Sequence, residues 1–288
     1  MEPLHIRRVG ICGSGIMGSG LAEVAARAGH DVVVRSRSRP SARAMVEGLE
    51  RSLDRQVDKG RLSEEARKDI LGRVEITDDI ADLSTCDLVI ESIVEDLAVK
   101  KELFAELGGI VPEHAILATN TSTLPVVELA MASRRPDRVC GIHFFNPAPL
   151  MSLVEIARPI TASDETMAAA RTFVAACGKD PIDVADRAGF VVNALLFPYL
   201  NSAVRLLEHG TASMESIDIA MKGGCNFPMG PFALLDLVGL DTSVAILEAL
   251  YEEFRDSNYA PVPTLRRLVA AGRLGRKTGR GFYEYATK

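Results

Sequence analysis

Two kinds of hydrophobic pattern alternate from residue 6 to about residue 186. Short apolar runs, IRRVGIC, DVVVR, DLVIESI, AILATN and VCGIHF, are each bounded by polar or turn residues. Between them lie longer stretches with helical apolar spacing, among them Ile16 to Ala28, about Ser41 to Gly60, and VKKELFAELGGI. This alternation is what a mostly parallel sheet with helices on both faces requires. After Ala188 the rhythm changes: FVVNALLFPYLNSAVRLLEHG, SMESIDIAMKGG, PFALLDLVGLDTSVAILEALYEEF and TLRRLVAAG all carry helical spacing, separated by Gly, Pro and Asn. The pattern predicts an α/β chain, with a doubly wound sheet over residues 1–187 and an all-helical domain over 188–288. The tail KTGRGFYEY, rich in Gly and aromatic residues, is expected to form a turn packed back on the body.

Composition narrows the function classes. At 288 residues the chain holds one or two domains, and 47% hydrophobic with 25% charged residues is globular rather than disordered. A net charge of -6 and a pI near 5.5 argue against nucleic acid or an anionic membrane as the main partner, because phosphate surfaces call for a positive field. The N-terminus has no basic segment leading into an apolar stretch, and no apolar run approaches ~18 residues, so a soluble, cytoplasmic protein is expected. The five cysteines are odd in number, widely spaced and without a CxxC pair, which favours free thiols over disulfides or a metal site.

The sequence Gly13-Ser14-Gly15-Ile16-Met17-Gly18 follows the first strand candidate and opens a helical pattern. In that context GxGxxG reads as the pyrophosphate turn of a Rossmann-type domain, and Gly13, Gly15, Ile16, Met17 and Gly18 become candidate cofactor contacts. The common form of this fold places an acid for the adenosine ribose at the end of the second strand. Here that end is Arg35-Ser36, with no acid, and Arg37 and Arg39 follow. Ser36 removes the repulsion an acid would exert on a 2′-phosphate, and guanidinium groups suit phosphate geometry. Ser36, Arg37 and Arg39 therefore point to NADP(H) as cofactor; a solvated basic turn, or a contact to a different phosphate, is the alternative.

Ser122 lies just after AILATN, His143 follows the strand VCGI, and Glu155 lies in LVEI. Histidine, with an ordinary pKa of ~6.5, exchanges protons near neutrality, and a carboxylate on one ring nitrogen would fix its tautomer. Sequence spacing alone does not establish that contact. The stretches GSGIMGSG, ESIVEDLAVKKELF, TNTSTLP, GIHFFNPAPLMSLVEI, DRAGFVVNALLFPYLNSAVRLLE, PMGPFALLDLVGLD and GRKTGRGFYEY together resemble the 3-hydroxyacyl-CoA dehydrogenase family over nearly the full chain, in particular its short bacterial 3-hydroxybutyryl-CoA members.

The resemblance implies His143 as the catalytic acid–base, Glu155 as its carboxylate partner, Asn193 as a substrate-positioning asparagine and Ser122 as a site serine. It implies cofactor contacts at Glu95, Lys100, Asn146 and Lys277, a substrate contact of Ser122 at the reacting oxygen and thioester, and contacts of Ser52 and Lys59 with the CoA moiety, for which a solvated helix face is the alternative. The implied reaction is hydride transfer between a nicotinamide dinucleotide, NADP(H) on the reading of Ser36, Arg37 and Arg39, and C3 of a 3-hydroxyacyl or 3-oxoacyl-CoA thioester, with the (S)-alcohol as the family's usual hand and no metal required. The same chemistry on an acyl-carrier-protein thioester, and a non-enzymatic dinucleotide-binding protein of the same fold, are the competing readings. Apolar helix positions beyond residue 188 are too numerous for one small bundle, and with the resemblance they predict a homodimer or larger assembly built mainly on the helical domain; a large buried contact with the first domain is the alternative. Light scattering is expected to give a multiple of 31.1 kDa; a single-chain mass that holds across a wide concentration range contradicts it.

Overall fold

The computed structural model describes residues 4–286, and the chain divides into two compact units, residues 1–186 and 187–288. The first unit contains one eight-stranded sheet. Its strands are β1 Arg8–Cys12, β2 Asp31–Arg35, β3 Val74–Thr77, β4 Leu88–Glu91, β5 Ile116–Thr119, β6 Val139–Phe144, β7 Leu153–Arg158 and β8 Asp180–Ala185. They lie in the order β3-β2-β1-β4-β5-β6-β7-β8. Every pair from β3 across to β6 is parallel, β7 runs antiparallel to β6, and β8 runs parallel to β7. Strand order reverses beside β1, which puts a crevice outside the carboxyl ends of β1 and β4, where open α/β sheets bind ligands.

The helices of this unit are α1 Ile16–Arg27, α2 Arg39–Asp58, α3 Glu64–Gly72, α4 Leu97–Ile110, α5 Val126–Ala132 and α6 Asp164–Ala176. Strand residues alternate between two buried faces. Val9, Val32, Ile90, Ala118, Ile142 and Ile156 join one cluster with Leu21 of α1, Leu49 of α2 and Phe173 of α6. Their neighbours Val33, Val89, Leu117 and Val139 are buried too, on the opposite face. Burial on both faces explains why the strands read as continuous apolar runs rather than clean alternations. Most helix starts carry their own cap: Ser38, Ser63, Asp96 and Ser163 accept backbone N–H groups at the starts of α2, α3, α4 and α6. At α5 the cap comes from far along the chain, where Asp186 accepts the Val126 and Val127 N–H groups at 2.9 and 2.8 Å.

The second unit is helical, with α7 Val192–Glu208, α8 Met214–Cys225, α9 Pro231–Val238, α10 Leu240–Phe254 and α11 Pro263–Ala270. Phe197, Leu200, Phe232, Leu235, Leu247 and Leu265 form its core. The aromatic tail folds onto this unit through a buried carboxylate: Asp236 accepts the N–H groups of Phe282 and Tyr283 at 2.9 and 2.8 Å and the Tyr285 hydroxyl at 3.0 Å. Among the described residues the five cysteines are free, and burial pushes the Cys12 and Cys140 thiols up to about 12. No helix among the described residues is long and apolar enough to cross a membrane.

Candidate active site

The glycine turn joins β1 to α1, and each glycine answers a different constraint. Gly13 has φ 123°, and a Cβ there would lie 2.3 Å from the Ser92 carbonyl oxygen. A Cβ on Gly18 would lie 2.0 Å from the Gly13 carbonyl oxygen, so the helix can close on the turn only without a side chain. A Cβ on Gly15 meets nothing within 4 Å; the space above it is open. α1 begins at Gly15 without a side-chain cap, so its first N–H groups and the positive end of its dipole face that space. Ile16 is 77% exposed and Val94, in the loop after β4 that abuts the turn, is 56% exposed. An open backbone cradle at an uncapped helix start fits the pyrophosphate of a dinucleotide.

At the end of β2 the Ser36 hydroxyl is buried and lies 2.8 Å from the Ser14 hydroxyl of the turn. Arg37 is exposed and, among the described residues, pairs with no carboxylate. Arg39 instead starts α2 and places its Nε 3.0 Å from Asp78, an exposed ion pair that sequence reasoning had no means to see. Arg35 is half-buried, with its Nε lacking a hydrogen-bond partner.

His143 lies within β6 rather than after it, one residue before the strand ends. Antiparallel pairing sets it directly opposite Glu155 of β7. Residues so paired share one face of the sheet, and the His143 Nδ1 is 2.8 Å from Glu155 Oε2. His143 is 5% exposed and Glu155 wholly buried. Their face is that of α5, since a Cβ on Gly141, two residues back along β6, would meet Val126. The end of β6 is also tied to β5: Asn120, missed in the sequence reading, accepts the Phe144 N–H through Oδ1 at 2.8 Å.

Ser122 is half-buried in the loop after β5, and its N–H donates to Glu95 Oε1 at 3.2 Å. Glu95 and Lys100 are brought together, with Lys100 Nζ 3.0 Å from Glu95 Oε2. Asn146 is exposed in the loop after β6. Ser52 and Lys59 line one hollow of about 290 Å³ with Arg55, Gln56, Arg61, Pro147, Pro149, Leu150 and one carboxylate, Glu23, which is paired with Arg27 at 2.8 Å. That wall carries three cations near the loop leaving the His143 strand. Asn193 and Lys277 belong to the second unit. Asn193 is buried in the first turn of α7, and Lys277 sits in a 3-10 turn of the tail with its ammonium 2.7 Å from Asp241. No group of three or more His, Cys, Asp or Glu side chains among the described residues could hold a metal ion.

Residues 8–187 match the family model for the 3-hydroxyacyl-CoA dehydrogenase NAD binding domain, and residues 189–285 match that for the C-terminal domain. A 3-hydroxybutyryl-CoA dehydrogenase of Mycobacterium tuberculosis is 47% identical over 282 residues, covering 97% of this chain and 99% of the relative. The human mitochondrial hydroxyacyl-coenzyme A dehydrogenase is 43% identical, covering 99% and 93%. The crystal structure of (S)-3-hydroxybutyryl-CoA dehydrogenase from Ralstonia eutropha superposes with a TM-score of 0.95 at 44% identity, covering 98% of this chain and all of that one.

Proposed function

The chain belongs to the 3-hydroxyacyl-CoA dehydrogenase family, and we propose that it transfers a hydride between NADP(H) and C3 of a short 3-hydroxyacyl or 3-oxoacyl-CoA thioester of the 3-hydroxybutyryl type. The observation that carries this reading is the buried His143–Glu155 pair at the carboxyl end of the sheet. The nicotinamide, when bound, supplies or accepts the hydride. With Glu155 accepting at Nδ1, the neutral imidazole keeps its proton there and exchanges protons at Nε2. In oxidation His143 takes the 3-hydroxyl proton; in reduction its imidazolium returns one to the forming alkoxide, and Glu155 stabilises the positive ring. Ser122 is assigned to the substrate oxygen, and Asn193 is retained as a substrate-positioning residue on the strength of the family resemblance.

The cation-lined hollow at Ser52 and Lys59 supports a CoA partner, because Arg55, Lys59 and Arg61 gather positive charge on a chain of net charge -6. Glu95, Lys100, Asn146 and Lys277 are assigned to the cofactor. Exposed Leu195, Ile219 and Leu237 of the helical unit support self-association as a homodimer. The preference for NADP(H) rests on Ser36 and Arg37. Ser36 sits against the phosphate turn without charge, and Arg37 is uncommitted. Arg39 is a lesser contributor while it pairs with Asp78, though solvent screening weakens that pair.

Replacement of His143 by Asn is expected to leave folding and dinucleotide binding nearly unchanged and to lower kcat for acetoacetyl-CoA reduction by about 10²- to 10⁴-fold. Steady-state kinetics check this, and wild-type turnover in the variant would rule out the proposed acid–base. Hydrogen bonds to charged groups are worth about 1.5–3 kcal/mol each, so one or two contacts from residues 36–37 correspond to roughly 10- to 10⁴-fold discrimination. The ratio of kcat/KM for NADPH over NADH should exceed one in wild type and fall in both Ser36→Asp and Arg37→Ala. A wild-type preference for NADH, or a ratio that neither substitution moves, contradicts the cofactor assignment.

A further inference from the structure

Glu91 ends β4 and is completely buried, yet it is a carboxylate. It lies opposite Thr119 in the β4–β5 register, and both oxygens are occupied. Oε1 accepts the Ile93 N–H at 2.7 Å and the Lys100 ammonium at 2.7 Å, and Oε2 accepts the Thr119 hydroxyl at 2.7 Å. Lys100, 1% exposed, comes from the first turn of α4 and reaches Glu95 with the same ammonium. The other oxygen of Glu95 accepts the Thr121 hydroxyl and the Ser122 N–H. Thr121 in turn accepts the N–H groups of Thr123 and Leu124 at 3.3 and 3.0 Å. One unbroken series of charged contacts therefore runs from the end of β4 to the backbone of Ser122.

Burial decides which member of the series sets the positions of the others. The Glu95 side chain is 42% exposed and can exchange its partners for water. Glu91 has no such alternative, and an ammonium as deeply buried as that of Lys100 must stay with its counter-charge. Glu91 thus fixes Lys100, Lys100 fixes Glu95, and Glu95 holds the loop that carries Ser122.

We propose that Glu91 is a positioning residue for the cofactor and thioester site, acting through Lys100 and Glu95 on the Ser122 loop. The proposal rests on the reading above in which Glu95, Lys100 and Ser122 contact cofactor and substrate. A Glu91→Gln side chain keeps the size, but one acceptor oxygen becomes an amide that presents donors to an ammonium. The buried counter-charge of Lys100 is lost and the series is broken at its anchored end.

Two measurements on wild type and Glu91→Gln test this: the Kd of NADH and of NADPH by nicotinamide fluorescence, and hydrogen exchange of a peptide covering residues 120–124. Expected are a Kd raised at least tenfold for the better-bound dinucleotide and faster exchange of that peptide, with peptides from β1 and β5 protected as in wild type. If the single variant does not fold, Glu91→Gln/Lys100→Met removes the uncompensated charge, and faster exchange at 120–124 is still expected. An unchanged Kd in a folded Glu91→Gln protein, or unchanged exchange at 120–124 in either variant, overturns the proposal. Wild-type protein that binds neither dinucleotide would instead contradict the proposed function, whereas wild-type binding that Glu91→Gln leaves intact defeats this inference alone.

Discussion

Reversal of strand direction between β6 and β7 is the constraint on which the candidate site depends. Only because β7 returns antiparallel does Glu155 stand opposite His143 at the carboxyl end of β6. A slip of one residue in that register would turn Glu155 to the other face of the sheet, among Ile142, Ile156 and Phe173. The pairing is therefore strongly specified, since the alternate residues Val154 and Ile156 belong to a dry apolar cluster. Burial raises the stakes on the polar side as well. The Glu155 carboxylate is wholly buried, so it must find hydrogen-bond donors inside the fold, and the His143 ring nitrogen 2.8 Å away is one.

The same end of the sheet gathers the remaining chemistry. Glu91 and Thr119 are register partners at the ends of β4 and β5, and Asn120 links β5 to the His143 strand through the Phe144 N–H. The loops after β1, β2, β4 and β5 are thus supported by bonds that begin on rigid strands. Charge follows a different logic. The chain is acidic overall, but Arg35 ends β2 with Arg37 and Arg39 just beyond it, and Arg55, Lys59 and Arg61 line, together with Glu23, the hollow beside Pro147, Pro149 and Leu150. Under the proposed function these local cations would meet the phosphate groups of the dinucleotide and of CoA, which is how an acidic chain can serve such ligands.

Much of the fold was legible from periodicity alone. Apolar runs such as VCGIHF and DVVVR are strands buried on both faces, and the GxGxxG turn was recognisable because it joins such a run to a helix. What stayed hidden depends on contacts between distant segments. LVEI reads as an ordinary strand, and nothing in its pattern discloses that it runs antiparallel or that its acid meets His143. The ion pair between Arg39 and Asp78 joins the start of α2 to the residue after β3, so a cation counted toward the cofactor turns out to be engaged. Glu91 carried a faint signal, an acid closing the apolar run LVI, but its partner Lys100 lies in a different element. Asp186 likewise caps a helix that begins sixty residues earlier. Register and long-range capping come from tertiary packing, which local patterns do not encode.

In the proposed mechanism Glu155 locks the neutral His143 ring in the Nδ1–H form, so that proton exchange takes place at Nε2. Nitrogen-15 NMR of the imidazole, in labelled protein at a pH where the ring is neutral, tests it directly. A protonated Nδ1 with an imine-type Nε2 in wild type, and a mixture of tautomers in Glu155→Gln, is the predicted result. An Nε2–H ring in wild type, or a tautomer indifferent to the loss of the Glu155 carboxylate, would contradict it.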